Sequence, residues 1–94
     1  MAKAVWNDVV VAESDACQIV EGHYYFPPDA VKRAHLRPSS HQTKCSWKGT
    51  ASYYDVVVGG KVNCKAAWYY AQPKDAARHI RDYIAFWHGV RTVP

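Results

Sequence analysis

Residues 53–64 read YYDVVVGGKVNC, two segments of high β propensity separated by the dipeptide Gly59-Gly60. Two glycines between such segments favour a two-residue turn with positive φ at both positions, the turn that joins tightly paired antiparallel strands. A turn of this kind fixes the register of pairing, so Val58 should face Lys61. The stretch therefore predicts a β-hairpin in the middle of the chain.

The same register, continued away from the turn, predicts which side chains share a face of the hairpin. Successive strand residues point to opposite faces, so one face should be buried and the other, a mixed polar stripe, should meet solvent. Trp68 and Tyr70 continue the buried face. The further predicted pairs on that face are Val57 with Val62, Asp55 with Cys64 and Tyr53 with Ala66.

Other two-residue turns recur along the chain, which extends the hairpin pattern to both ends. They occur at Asn7-Asp8, Glu21-Gly22 and His88-Gly89. Each separates short apolar or alternating segments, so we expect four hairpins in all. The expected pairs are Trp6 with Val9, Val20 with His23, and Trp87 with Val90.

Two interruptions of the β pattern are typical of short helices. The first runs from Pro28 to about Leu36, with proline at the first helical position and an acidic residue in the first turn. The second runs from Pro73 to about Tyr83 and has one apolar face, which should lie against the sheet. Residues 37–41, RPSSH, are polar and aperiodic and are expected to form a loop.

The chain of 94 residues is long enough for one domain, so residues 1–94 are expected to share a single core. The turn pattern predicts a mainly β (α+β) fold, a small bent sheet or barrel built from hairpins with two short helices. Closure would remove exposed strand edges, which favours the barrel over a flat meander.

Charge and cysteine content narrow the classes of partner. The net charge of +4 is dispersed, with no basic run, so a nucleic-acid partner is not expected. Three cysteines without a C-x-x-C pair argue against disulfides and a zinc site. No signal peptide and no membrane-spanning segment is evident, which predicts a cytoplasmic protein without a membrane partner.

Six blocks distributed over nearly the whole chain carry a family resemblance. They are residues 3–7 (KAVWN), 12–14 (AES), 25–28 (YFPP), 45–54 (CSWKGTASYY), 66–70 (AAWYY) and 85–87 (AFW). Together they resemble the family called domain of unknown function DUF427, which is sometimes labelled a nucleotidyltransferase. The resemblance implies a compact, barrel-like β fold with short helices, and it implies no established activity. The chain departs from the family's usual pattern at Asp8, where glycine is usual, and at Cys64-Lys65, where acidic residues are common.

The residues give the nucleotidyltransferase label little support. Metal-dependent nucleotidyl transfer typically uses carboxylates two positions apart, and only Glu13 and Asp15 have that spacing, without a glycine-rich phosphate loop before them. Residues 39–41, SSH, lack the orienting acid of a catalytic triad. The histidines show no metal-ligand spacing, so neither a metal nor a cofactor is expected.

The segment 45–50, CSWKGT, is the best candidate site because it combines a thiol, a cation and a glycine at a strand end. Cys45 would be a nucleophile if Lys48 or a histidine lowered its pKa, and otherwise it packs as a small apolar side chain. Asp55 falls on the predicted core face. It is therefore expected either to belong to a polar cluster with Lys48, Tyr53 or Tyr70, or to mark a register wrong by one residue.

Lysines and aromatic residues together suggest a rim that binds anions. Lys44, Lys48, Lys61 and Lys65 could form it, with Trp47 and Tyr54 as stacking surfaces, or these lysines could simply be solvated.

The leading hypothesis is a pocket that binds a polar or anionic small molecule. One alternative is an enzyme using Cys45 or Asp55, with Lys48 stabilising negative charge. Another is an interaction domain using exposed tyrosines, among them Tyr54 and Tyr69. The predicted ligand-binding residues are Trp47, Lys48, Tyr54, Trp68 and Tyr70.

Overall fold

A computed structural model describes residues 1–94, which form nine β-strands and three short 3-10 helices. The 3-10 helices cover Pro28–Ala30, Arg33–His35 and Asp75–Ile80. The strands are β1 (Ala2–Trp6), β2 (Val9–Ser14), β3 (Gln18–Val20), β4 (His23–Tyr25), β5 (Leu36–Cys45), β6 (Gly49–Val58), β7 (Lys61–Tyr69), β8 (Ile84–Phe86) and β9 (Arg91–Val93).

The strands form three antiparallel sheets, so the mainly β prediction is confirmed. The sheets have the orders β2-β1-β9, β3-β4 and β5-β6-β7-β8. The second and third are linked by a bridge between Phe26 and Ile84, with mutual backbone hydrogen bonds of 2.8 and 2.9 Å. The sheets do not close into a barrel, which leaves β5 as an open edge of the largest one.

All four predicted two-residue turns occur, with positive φ at both turn residues in each. Three of them form the expected hairpins, with Trp6 facing Val9, Val20 facing His23 and Val58 facing Lys61. The expected fourth hairpin is wrong, because β8 pairs with β7 whereas β9 pairs with β1. The turn at His88-Gly89 instead carries the chain from one sheet to another.

A bulge in β7 changes the predicted register of the central hairpin. Val57 faces Val62 as expected, but Tyr53 faces Trp68 rather than Ala66. Lys65 has φ +57°, and its backbone N–H donates to Asp55 Oδ1 at 2.9 Å. The predicted pairing of Asp55 with Cys64 is therefore wrong. The shift is two residues, so Trp68 and Tyr70 still share the face of Tyr53, as predicted.

Asp55 holds this bulge in place and also binds Arg37, whose guanidinium donates to Oδ2 at 3.0 Å. Desolvation raises the pKa of the Asp55 carboxyl, but the Lys65 N–H and the Arg37 guanidinium outweigh it and hold the pKa below its ordinary value. Because the folded pKa is lowered, this contribution to stability is present above the unfolded pKa and is lost as pH falls through the folded pKa.

Asp55→Asn is expected to lower the free energy of unfolding by about 1.5–3 kcal/mol at pH 7, the range for hydrogen bonds to a charged group. The difference from wild type should shrink at pH values below about 4, where the carboxyl begins to protonate in the unfolded state, and should vanish once the folded state is protonated as well. Urea unfolding of both proteins at pH 7 and at a pH below about 4 measures the two effects. Asp75→Asn, in an exposed pair with Arg78, is the matched control and should change little.

The two predicted helices are present only as 3-10 turns. The segment from Pro28 to Leu36 contains two of them, interrupted at Val31, which bridges to Ala12. The second segment is kinked at Ala77, although Ala77 and Ile80 are buried against the sheet as expected. Single turns suffice here because strand neighbours supply the contacts that a longer helix would make internally.

Residues 37–41 belong to strand β5, so the predicted loop is wrong. Strand pairing with β6 runs from Leu36 to Pro38 and resumes at Gln42, with an irregularity between them. Proline is tolerated because β5 is an edge strand. The Ser39 hydroxyl accepts the His41 N–H at 3.2 Å within the irregular part.

Both faces of the largest sheet are covered, so the prediction of one wet face is wrong. One cluster includes Val56 and Val58 and packs with residues of β1 and β2. The other includes Tyr53, Trp68 and Tyr70 and lies on the opposite face. Each tyrosine doublet supplies one buried and one half-buried ring, as alternation requires. The candidate site lies at the second cluster.

Candidate functional site

A cavity of about 330 Å³ lies over the second cluster. Its volume is at the lower end of the range of about 300–1,000 Å³ for small-molecule pockets. The wall combines aromatic rings with one acid and one base. The lining residues are Glu21, His23, Tyr25, Lys48, Tyr53, Trp68, Tyr70 and Trp87.

Trp68 is the centre of the aromatic wall. Its Nε1–H donates to the Tyr25 hydroxyl at 3.2 Å, and the two rings meet edge to face at 6.2 Å. His23 and Trp87 also meet Trp68 edge to face, with ring centroids at 5.1 and 5.2 Å. Edge-to-face packing and a satisfied indole N–H fix this wall in one conformation.

Lys48 is placed by the tight connection between β5 and β6. Gly49 has φ +110°, and a side chain there would come within 3.3 Å of the Gln72 carbonyl oxygen, so glycine is required. The Lys74 N–H donates to the Lys48 carbonyl oxygen at 3.0 Å, and Lys74 Nζ donates to the Ser46 carbonyl oxygen at 2.7 Å. The connection is thereby held from two sides.

The Lys48 side chain is only 9% exposed and forms an ion pair with Glu21. Its ammonium lies 4.9 Å from the Trp47 ring centroid and 5.8 Å from the Tyr70 ring centroid. Desolvation lowers the pKa of Lys48, but the hydrogen bond to Glu21 and the neighbouring Tyr25 and Cys45 outweigh it and raise the pKa. The cavity therefore holds a buried positive charge at neutral pH.

Glu21 reaches Lys48 from the turn between β3 and β4, where its φ is 53°. Its side chain is 53% exposed. The hydrogen bond from Lys48 is the main cause that lowers the pKa of Glu21. The ion pair thus joins one exposed turn to the β5–β6 connection beside the cavity.

Two buried tyrosines supply neutral polar groups. Burial is the main cause that raises the pKa of Tyr70, and burial likewise raises the pKa of Tyr25, in part offset by the hydrogen bond from Trp68. Both phenols stay protonated at neutral pH. They offer hydrogen-bonding hydroxyls without a second negative charge near Lys48.

Cys45 lies beside the site but does not line the cavity. Desolvation raises the pKa of its thiol, yet backbone N–H groups of Lys48 and Trp47 and the Lys48 ammonium together lower it. The side chain is half-buried and packs against the second cluster. Cys45 thus packs against the second cluster, and the pKa of its thiol is lowered.

Cys45 is expected to react with iodoacetamide faster than Cys17 at pH 7.5. The pKa of Cys17 is raised by burial and by Asp15, so less of it is thiolate, the reactive form. Both side chains are half-buried, which makes Cys17 an internal control. Peptide mass spectrometry over time measures the two rates, and equal rates would show that Cys45 is not activated.

The structure brings only part of the predicted site together. Lys48, Trp68 and Tyr70 line the cavity, whereas Trp47 lies beside it and is 36% exposed. Tyr54 is on the other sheet face, stacked on Tyr69 at 4.9 Å with Arg33 donating to its hydroxyl.

Asp55 contacts Arg37 and Lys65 rather than Lys48, Tyr53 or Tyr70. Neither reading of Asp55 from the sequence is therefore the arrangement found. The predicted rim is not assembled around the cavity either, since Lys44, Lys61 and Lys65 are exposed and do not line it.

Sequence reasoning missed five of the lining residues: Glu21, His23, Tyr25, Tyr53 and Trp87. The sequence holds one signal for Glu21, since glutamate is unusual at a turn position with positive φ and therefore calls for another reason to be there. Once Lys48 is known to be buried, its need for an acidic partner supplies that reason.

No group of three His, Cys, Asp or Glu side chains is placed to hold a metal ion. The longest helix, Asp75–Ile80, has six residues, so none of the helices could span a membrane.

Fold and cavity together define a small antiparallel β domain with an aromatic pocket that contains an ion pair. A family model described as "Domain of unknown function (DUF427)" matches residues 1–93, and the chain belongs to this family. The resemblance seen in the sequence blocks is thereby confirmed. No curated protein matches the chain.

Proposed function

We propose that this domain binds a polar or anionic small molecule in the aromatic cavity. The observation that supports it most directly is Lys48, a charged side chain that is 9% exposed and lines the cavity. A buried charge is costly to maintain without a strong partner. Its partner, Glu21, is more than half exposed, which leaves the charge accessible to a competing anion.

The rest of the wall suits a small ring. Trp68, Trp87 and Tyr53 offer apolar surface, and the Tyr25 and Tyr70 hydroxyls offer hydrogen bonds. The ligand we propose therefore combines a flat apolar ring with one anionic or strongly polar group, which the Lys48 ammonium binds. We place this function in the cytoplasm, since all three cysteines are free thiols.

A thermal-shift screen tests the proposal, with small aromatic carboxylates, nucleotides and sugar phosphates as the compounds. A ligand at one hundred times its dissociation constant should stabilise the fold by about 2.7 kcal/mol. At this chain length, that corresponds to a rise in Tm of roughly 10 °C or more. The absence of a shift with every class of compound would contradict the proposal and favour an interaction domain.

A second candidate function is favoured by the lowered pKa of Cys45. The thiolate would attack the carbonyl carbon of an ester held at Lys48 and expel its alcohol, while Lys48 would stabilise the negative charge that develops on the carbonyl oxygen. Water would then hydrolyse the thioester to a carboxylate and regenerate the thiol. Cys45→Ala separates the two functions. Ligand binding should survive this substitution in either case, whereas turnover of a bound compound should be lost only if the protein is an enzyme.

A further inference from the structure

The Lys48–Glu21 ion pair is unequal in burial, which sets it apart from the other lysine–glutamate pair of the chain. The Lys48 side chain is 9% exposed and that of Glu21 is 53% exposed. In the pair between Lys3 and Glu13, at 3.5 Å, the two side chains are 45% and 43% exposed. Separating the first pair would leave a buried ammonium unpaired, while its glutamate could be hydrated at little cost.

Glu21 also lies at the exposed tip of its hairpin, whose strands are anchored below it by the buried side chains of Val20 and Tyr25. It lies in the turn of the β3–β4 hairpin, a separate two-stranded sheet. Gln18, Ile19, Gly22 and His23 around it are exposed. An exposed side chain at such a tip can change its rotamer without movement of the strands that flank the turn. The carboxylate can therefore leave Lys48 without disturbing the four-stranded sheet.

We infer that the Glu21 carboxylate occupies the position at Lys48 where a ligand binds. The carboxylate of the ligand displaces that of Glu21. This inference rests on the proposed function and specifies its ligand class as small aromatic carboxylates. Three features support that class: the site at Lys48 already accommodates a carboxylate, the cavity beside it is lined by aromatic rings, and its volume is about 330 Å³. Glu21 then determines specificity, because only a group that outcompetes a carboxylate can occupy the site.

Glu21→Gln removes the competing charge and keeps the size of the side chain. With benzoate as the probe, this variant should bind more tightly than wild type by a factor of roughly 1.5 to 5, the range that corresponds to a partly exposed ion pair. Benzamide, which has the same ring without the charge, should bind both proteins alike. Quenching of tryptophan fluorescence gives the dissociation constants, because Trp68 and Trp87 line the cavity.

Glu13→Gln is the matched control, since it breaks a lysine–glutamate pair away from the cavity, and it should leave the benzoate affinity unchanged. If Glu21→Gln folds poorly, Glu21→Asp is the second variant. Its shorter side chain should weaken the pair and give an affinity between those of wild type and Glu21→Gln. Benzoate affinity that is equal or weaker in both Glu21 variants would overturn the inference.

Acetate separates failure of this inference from failure of the proposed function. At constant ionic strength, acetate should raise the Tm of Glu21→Gln more than that of wild type or Glu13→Gln, because it can pair with Lys48. If acetate raises the Tm of Glu21→Gln in this way but benzoate binds no more tightly than acetate, the aromatic cavity does not bind the ligand. Lys48 would then still be a carboxylate-binding residue. Equal effects of acetate on all three proteins, or a larger effect of phosphate, would overturn the carboxylate assignment.

Discussion

Trp68→Ala is expected to lower the free energy of unfolding by about 3–5 kcal/mol, the range for removing a buried tryptophan. Trp68 is 7% exposed and contacts Tyr25, His23 and Trp87. Its loss also leaves the Tyr25 hydroxyl without the indole donor. For a chain of 94 residues, total stability is about 5–14 kcal/mol, so this substitution removes a large fraction of it.

Thermal unfolding measures the effect, since each kcal/mol shifts Tm by about 4–8 °C at this size and the expected drop is therefore at least about 12 °C. Val62→Ala is the control. Val62 is 41% exposed on the same strand, and its truncation should change stability by no more than about 0.5 kcal/mol. A Tm drop as small as that of Val62→Ala would show that the aromatic wall contributes little to the fold.

The local turn chemistry of this chain could be predicted, and the pairing between distant strands could not. Gly59-Gly60 and Asn7-Asp8 specify their turns because both residues of each turn have positive φ, which few residue types adopt readily. The two hairpins could therefore be predicted from these dipeptides. The turn at His88-Gly89 has the same local signal, yet its flanking strands join different sheets. That choice depends on tertiary packing rather than on the two turn residues.

Strand irregularities account for most of the remaining differences. Lys65 has φ +57° in the middle of β7, a conformation that its sequence neighbours do not indicate. It is stabilised by Asp55, which lies on another strand. Arg37 and Pro38 likewise lie in a strand because Asp55 and Tyr54 of β6 are opposite them. Propensity alone does not contain these long-range contacts.

Only three of the eight residues that line the cavity were named from the sequence, because the lining comes from separated parts of the chain. Trp68 and Tyr70 followed from strand alternation around the central hairpin, and Lys48 from the combination of residues in segment 45–50. Glu21 and Trp87 come from turns and strands whose position relative to that hairpin depends on how the sheets stack. Cys45 stays a prediction, because the sequence names its neighbours but only the geometry shows that backbone N–H groups point at its thiol.

Lys48→Met is expected to weaken the binding of benzoate by about ten- to a hundredfold, which corresponds to the loss of a hydrogen bond to a charged group. Methionine keeps an unbranched apolar side chain in place of the lysine stem, so the wall of the cavity should persist. Benzamide, without a charge for Lys48 to bind, should lose much less affinity than benzoate.

The stability of Lys48→Met distinguishes a ligand site from a structural ion pair. The variant removes the buried partner and leaves Glu21, which is 53% exposed, free to be hydrated, so its Tm should stay close to that of wild type. Glu21→Gln should have the lower Tm of the two, because it leaves the buried ammonium unpaired. Benzoate affinity unchanged in Lys48→Met, together with a large loss of Tm, would mean that Lys48 stabilises the fold and does not bind the ligand.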